Sequence, residues 1–385
     1  MSGPRRQSAD ALAARLAAYA ASTQDERVEE LARLVRLDAP TGDVEALGAT
    51  EALLAARLEA LGANLRHHPT SAGTHLEARF GPAEGERILV VAHYDTVWPR
   101  GTAAARPFRI VDGVAYGPGV FDMRAGLVAA LGALEGLLAL GEIRRPVTLL
   151  LNADEEAGSE TSAGLLVELG REARAALVPE PCLPGGGLKT ARKGVGTYRF
   201  EVTGVEAHAG LGADGGVSAI EELASIVVRL GQLARPELGT TVNVGVVGGG
   251  SRPNVVAGAA FAEVDVRVTT HAEYDSLHQD FDRLAVREGA ALAVRRLHAR
   301  PPMERTPAVA AAATEAKRIA AELGLELTEG SAGGASDGNF LVELGLPVLD
   351  GLGPEGGGAH ALDERVSLGS LEERVALIGL LIALL

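Results

Sequence analysis

Scarcities bound this chain before any motif is read. Among 385 residues there is one cysteine, Cys182, which excludes an intrachain disulfide and fits a reducing compartment. Aromatic residues make up 3% of the chain, so the core must be built from Ala, Val and Leu. No apolar run approaches the roughly 20 residues that span a bilayer. The opening MSGPRRQSADALAARLAAYA has an arginine pair, but Asp10 and Arg15 interrupt the apolar stretch a signal peptide needs. It predicts an amphipathic helix, and the cytoplasm is the expected location. Basic residues are outnumbered, 36 against 51 acidic, for a formal charge of −15. That balance disfavours nucleic acid and anionic membrane as partners, and an anionic substrate would need a local cationic anchor.

A chain of this length predicts two domains. Up to about residue 193, helical and strand patterns alternate. ILVVA at 88–92 and VTLLL at 147–151 are continuous apolar runs, the pattern of strands buried on both faces. Helices are expected over 125–140 and 162–169, and a short strand at 175–178. The same texture returns after about 306, with a helix near 308–323, strands at Leu325–Leu327 and 347–350, and a last helix from Leu371. This alternation predicts an α/β domain, a mostly parallel sheet with helices on both faces. Between the halves the period changes to two: Tyr198, Phe200 and Val202, then Val242, Val244 and Val246, then Val264, Val266 and Val268 alternate with other positions. With helices at about 217–234 and 272–287 and a strand at about 291–298, the order is β-α-β-β-α-β, a ferredoxin-like α+β arrangement. ARKGVG (191–196) and ARPP (299–302) look like hinges. The expected division is therefore an α/β domain of 1–193 and 305–385, with an open-faced domain of 194–304 inserted into it.

Against this frame, residues of metal-ligand type follow strand runs or sit in glycine-rich turns: His93 in AHYD, Asp122 in FDMRAG, Glu156 in DEE, Glu180 in VPEP and His360 in GGGAH. Each has an ordinary reading. His-x-Asp occurs by chance in loops, an Asp before a helix is commonly an N-cap, and an acidic triplet is commonly a solvated loop. Yet three like charges closing a buried strand are costly unless cations compensate them, and open α/β sheets carry their sites beyond the carboxyl ends of their strands. Carboxylates with two imidazoles suit a pair of divalent ions of zinc type, cobalt or manganese fitting the same donors. Glu155 is a spare carboxylate able to move protons, and Asp95 stands where it can take the second N–H of His93. GPEGGGAH lacks the Lys and Ser/Thr of a phosphate loop, and Ser336-Asp337 has no histidine nearby and no G-x-S-x-G elbow. Cys182 reads as a buried filler and Trp98 as a wall of the cleft.

AHYDTVWPRGT, YGPGVFDMRAG, NADEEAGS, LVPEP, EAHAG, GGASDGNF and GGGAH, in this order, make the chain resemble the co-catalytic zinc peptidase family of glutamate carboxypeptidase, acetylornithine deacetylase and succinyl-diaminopimelate desuccinylase. The resemblance covers nearly the whole chain and is greatest to the glutamate carboxypeptidase-like branch. It implies two Zn2+ per subunit, with Asp122 bridging, His93 and Glu180 completing one site, and Glu156 and His360 the other. It implies Glu155 as general base, Asp95 as orienter of His93, a cis peptide at Asp122–Met123, a catalytic role for 1–193 with 305–385, a lid and dimerisation role for 194–304, and His208 reaching into a partner subunit's site of a homodimer. Asn254, Arg267 and Gly334 would hold a substrate carboxylate, although Arg267 also has Glu263 and Asp265 beside it as ordinary ion-pair partners. The implied activity is amide hydrolysis by zinc-activated hydroxide, releasing a C-terminal amino acid from an acyl-glutamate or small peptide. A glutamate at position 180 accords with carboxypeptidases and deacylases of that family rather than aminopeptidases. An N-acyl amino acid deacylase is the alternative, and a catalytically silent binding relative a further one.

Overall fold

The computed structural model describes residues 4–211 and 215–385, with side chains described from residue 9 onward. The chain folds as two compact units. The first comprises Met1–Ala191, Arg305–Ala332 and Ser336–Leu385, and the second Arg192–Glu304 with Gly333–Ala335. The unit boundary thus falls two residues before the 193/194 cut expected from sequence, and a three-residue excursion joins the second unit. Long-range hydrogen bonds account for both differences. The Arg192 backbone pairs with Met303, Arg192 Nη1 donates to Gly334 O at 3.0 Å, and Arg267 Nη1 donates to Gly333 O at 3.2 Å.

The first unit is built on an eight-stranded sheet in the order Asn64–Thr70, Gly73–Phe80, Val147–Asn152, Arg87–His93, Ala173–Val178, Val348–Asp350, Leu188–Arg192, Glu329–Ala332. Its four central strands, from Val147–Asn152 to Val348–Asp350, run parallel, and antiparallel neighbours flank them. Strands Arg87–His93 and Val147–Asn152 are buried at every residue, so both faces of the sheet centre are covered, as continuous apolar runs require. Helix Ala125–Ala139 is buried over nearly its whole surface. Small residues let its neighbours close on it: a Cβ at Gly132 would stand 3.1 Å from Val375, and one at Gly136 would stand 2.8 Å from Tyr19. The N-terminal helix Pro4–Ser22 buries Ala9, Leu12, Ala13, Leu16 and Ala20, one stripe at helical spacing.

The strand expected at Leu325–Leu327 lies elsewhere, beginning at Glu329. Leu325 instead closes the preceding helix: its N–H donates to Ala320 O at 3.1 Å across Gly324, which holds φ +72°. That is a helix C-cap of the Schellman kind, so the leucine backbone is committed before a ladder could form. A small four-stranded sheet, Gly356–Gly357, Arg365–Ser367, Val114–Tyr116 and Arg109–Val111, was not foreseen. It ties the segment after His360 to the segment before Asp122.

The second unit is a four-stranded antiparallel sheet in the order Thr241–Gly249, Ala259–Val268, Gly194–Thr203, Ala291–Arg300. Helices Ala219–Gly231 and His271–Asp282 complete the β-α-β-β-α-β order. Tyr198, Phe200, Val264, Val266 and Val268 face a core shared with Ile226, Leu230, Leu277 and Phe281, so the period-two alternation marks one dry face.

Candidate metal centre

Three parallel strands deliver acidic or imidazole groups to one end of the large sheet. Strand Arg87–His93 ends on His93, Val147–Asn152 runs into Asp154-Glu155-Glu156, and Ala173–Val178 leads to Glu180. Gly126, at the start of the buried helix, lets the Glu180 segment come close: a Cβ there would stand 1.7 Å from Pro179 O. Gly353 N donates to Glu180 O at 2.8 Å.

His93 is 1% exposed. Its Nδ1 lies 3.0 Å from Asp95 O and 3.3 Å from Asp95 Oδ1, acceptors that select a proton on Nδ1 and turn Nε2 toward the carboxylates. Nε2 is 3.4 Å from Asp122 Oδ1 and 3.6 Å from Glu180 Oε1, yet it is buried with no hydrogen bond of acceptable geometry. On the other side of Asp122, Oδ2 is 3.4 Å from His360 Nε2, which is 3.1 Å from Glu156 Oε2. Glu156 Oε1 is likewise buried without a hydrogen-bond partner. Two triads result, His93–Asp122–Glu180 and Asp122–Glu156–His360, with ligand atoms within 4.8 Å of one another in each. The Asp122–Met123 peptide is cis.

The electrostatics are those of a cation site. Burial opposes charge on His93, but Asp122, Asp95 and Glu180 outweigh it and hold the imidazole well above its ordinary pKa. Contacts with Asp122 and Glu156 raise His360 to about 10. Burial also opposes charge on Asp122, but His360 and His93 hold its carboxyl far below the usual range. Glu156 is pushed up to about 6, chiefly by burial and further by the Asp122 charge. A cluster whose carboxylates stabilise positive charge on both imidazoles offers the same stabilisation to a divalent cation. Two unsatisfied buried donor atoms and a mixed carboxylate–imidazole set fit zinc-type ions.

Asp95, 1% exposed, does more than face His93. Its Oδ2 accepts from Thr41 Oγ1 at 2.7 Å and Glu156 N at 3.2 Å, and its Oδ1 from Glu155 N at 3.3 Å. The acidic turn is also held by Asp154, which accepts from Thr161 N, Thr161 Oγ1 and Ser162 Oγ. Asp337 accepts from Ser159 Oγ at 2.5 Å and from Asn152 Nδ2. Asp337 in SDGN is therefore scaffolding, and Ser336, fully buried and donating to Asp350 Oδ2, is no nucleophile.

Sequence reasoning missed Glu364. This carboxylate is 1% exposed and accepts from Gly119 N at 2.7 Å, Trp98 Nε1 at 2.9 Å, Phe121 N at 3.0 Å and Asp122 N at 3.1 Å. Trp98 thus has a polar task beyond lining a wall. Cys182, 8% exposed with its thiol pushed up by burial, is a buried filler.

The remaining expected residues lie in the second unit. Exposed His208 accepts from Gly210 N at 3.0 Å through Nδ1. Its segment pairs with the Asn254 segment, Ala209 N donating to Asn254 O at 3.1 Å. Arg267 pairs with Asp265 at 3.1 Å, the ordinary partner, and also reaches Gly333 O beside Gly334. His208 and Asn254 are brought together, and so are Arg267 and Gly334. The two pairs stand at opposite ends of strand Ala259–Val268.

Known proteins of similar sequence include carboxypeptidase G2 of a Pseudomonas species, 27% identical over 92% of this chain and 88% of that protein. Succinyl-diaminopimelate desuccinylase of Acidovorax ebreus is 29% identical over 77% of this chain and 80% of that one. The fold matches aminopeptidase PepT from Bacillus cereus, with a TM-score of 0.75 at 22% identity over 94% of this chain and 98% of that one. It also matches a dinuclear metal-binding M20 peptidase from Bacillus subtilis, with a TM-score of 0.70 at 17% identity over 94% and 98%. The model of peptidase family M20/M25/M40 matches residues 89–384, and the chain belongs to that family.

Proposed function

We propose that this protein is a di-zinc amidohydrolase that releases a C-terminal amino acid, glutamate foremost, from acyl-glutamates or small peptides. The observation that carries the reading is the pair of triads sharing Asp122, with His93 Nε2 and Glu156 Oε1 buried and unsatisfied inside them. His93, Asp122 and Glu180 would hold one ion, and Asp122, Glu156 and His360 the other. When bound, such ions polarise an amide carbonyl and make water nucleophilic near neutral pH.

The chain's own groups do the rest. Glu155, 7% exposed beside the second triad, takes the proton of the attacking water and delivers it to the leaving amine. Asp95 fixes the His93 ring and the turn bearing Glu155. His208 donates to the carbonyl oxygen as charge develops there. Arg267, Asn254 and the Gly334 backbone bind the free carboxylate, for which a guanidinium is the natural partner.

His208 and Arg267 serve one substrate only if they come from different subunits. Strand Ala259–Val268 separates them by roughly 30 Å, more than a small peptide spans. A homodimer through the second unit meets this requirement, and the unit offers a surface for it. Edge strand Thr241–Gly249 exposes Val246 at 48% and Val247 at 61%, and helix Ala219–Gly231 exposes Val228 at 64%. No described helix is long and apolar enough to cross a membrane. The single buried cysteine accords with a cytoplasmic setting.

Similarity to carboxypeptidase G2 over 92% of the chain supports the carboxypeptidase reading, and similarity to desuccinylases supports an N-acyl amino acid deacylase as the alternative. The test is hydrolysis of a panel of N-acyl and N-peptidyl amino acids by zinc-loaded protein, with Glu155→Ala as control. Glutamate release abolished by chelator and by the substitution supports the first reading. Turnover confined to simple acyl amino acids selects the second. Two bound metals with no turnover would replace both with a silent binding protein.

A further inference from the structure

Glu364 lies four residues beyond His360, where two strands of the small sheet diverge. Arg365–Ser367 pairs with Val114–Tyr116, and from that ladder one chain leads back to His360 while the other leads on to Asp122. At this fork the Glu364 carboxylate fills its acceptor positions with four neutral N–H groups: Gly119, Phe121 and Asp122 of the turn, and the Trp98 indole. The indole is covered by the Arg106 guanidinium, 4.4 Å from the ring centroid. Arg106 Nη2 in turn donates to Leu362 O at 2.7 Å and Ala361 O at 3.3 Å. The contacts close a ring that begins at the Asp122 backbone, passes through Glu364, Trp98 and Arg106, and ends on the residues after His360.

His360 needs such a ring. Its side chain is 50% exposed and its backbone holds φ +60°. We propose that Glu364 is a positioning residue that sets the separation of Asp122 and His360, and through it the metal affinity of the Asp122–Glu156–His360 triad, without touching metal or substrate. Asp122 is the ligand the two triads share, and the remaining ligands of the other triad, His93 and Glu180, are set by the strands Arg87–His93 and Ala173–Val178 rather than by this ring, so that triad feels the clamp less. The inference rests on the two-metal reading.

The test is zinc binding by competition with a chromophoric chelator, with bound metal counted by elemental analysis, on wild type, Glu364→Gln and Trp98→Phe. In Glu364→Gln an amide NH2 replaces one acceptor oxygen and meets N–H donors. Its weaker zinc site should lose at least tenfold in affinity while the tighter one changes less than threefold. Elemental analysis at limiting free zinc should then find about one ion per chain. kcat should fall with KM for substrate unchanged, and added zinc should restore it. Trp98→Phe removes one donor and keeps a ring under Arg106, so its loss should be smaller and in the same direction; it decides the matter if Glu364→Gln does not fold. Two sites of wild-type affinity in the variants, with only the melting temperature lowered, would overturn the clamp. Fewer than two zinc ions on the wild type would instead overturn the two-metal reading.

Discussion

The Asp95 carboxylate accepts the backbone N–H of Glu156 at 3.2 Å while its other oxygen stands 3.3 Å from His93 Nδ1. One side chain therefore fixes the ring on one strand end and the carboxylate on the next, linking a residue of each triad. Asp95→Asn replaces an acceptor with a donor that cannot serve all these partners. Zinc affinity and kcat should both fall about 10–100-fold, as measured by chelator competition and steady-state kinetics; loss of kcat with affinity intact would leave Asp95 without the orienting role.

Glu155 should separate chemistry from binding. Glu155→Gln keeps the shape and removes the base, so kcat should fall about 10^2–10^4-fold with two zinc ions retained by elemental analysis. A variant that loses metal as well would move Glu155 into the ligand set.

Proton release provides a test independent of activity. His360 is held at about 10 by Asp122 and Glu156, and an imidazole must be deprotonated to bind a metal. At about pH 8 zinc binding should therefore release protons, visible as a calorimetric enthalpy that changes with the buffer's ionisation enthalpy. In the metal-free protein the raised pKa contributes stability that is complete below the ordinary 6.5 and is lost as the pH rises through about 10. The half-exposed ring keeps that contribution small. Glu156 acts in the same direction at lower pH: raised from 4.5 to about 6, its carboxyl contributes stability that is complete below 4.5 and lost as the pH rises through about 6. Chelated protein should thus melt lower as pH rises from 6 to 10, and zinc-loaded protein should not follow it. Equal slopes would dissociate these groups from the metal.

Gly126→Ala places a methyl 1.7 Å from Pro179 O, where no rotamer relieves the overlap. The helix must move from the strand end that carries Glu180. Stability should drop by about 1–3 kcal/mol in denaturant melts, and the drop should be accompanied by weakened zinc binding.

Assembly is tested at the edge strand. Val247, 61% exposed there, should tolerate Asp in a monomer and not in a packed interface. Val247→Asp should therefore shift the mass by sedimentation from dimer to monomer, and activity should fall if His208 acts across the interface. An unchanged mass would place the dimer surface elsewhere or remove it.

The candidate metal ligands are legible in sequence because each sits in a short segment whose strand or turn is visible from local pattern. His93 closes ILVVAH, and Glu156 follows VTLLLNAD. Their convergence follows from parallel strands ending at one side of a sheet. Glu364 was invisible for the opposite reason. ALDERV reads as a polar loop, and the N–H groups that make its carboxylate structural lie more than 240 residues away, from 119 to 122. The small sheet escaped notice because strands of two or three residues are too short for alternation to appear. For Arg267 the sequence offers Glu263 and Asp265 as strand neighbours and the resemblance a substrate carboxylate, but the Gly333 carbonyl reaches it through tertiary folding alone and leaves no local signal.

The excursion Gly333–Ala335 has a practical corollary for anyone dividing the molecule. A fragment cut at 192 and 304 looks like a self-sufficient ferredoxin-like module, yet it would leave behind the carbonyls of Gly333 and Gly334 that receive Arg267 and Arg192. Two guanidinium groups would then meet water or each other's neighbours instead. Neither half of this protein is a contiguous stretch of its gene, so transplanting the second unit into another scaffold means carrying a three-residue patch from far downstream along with it.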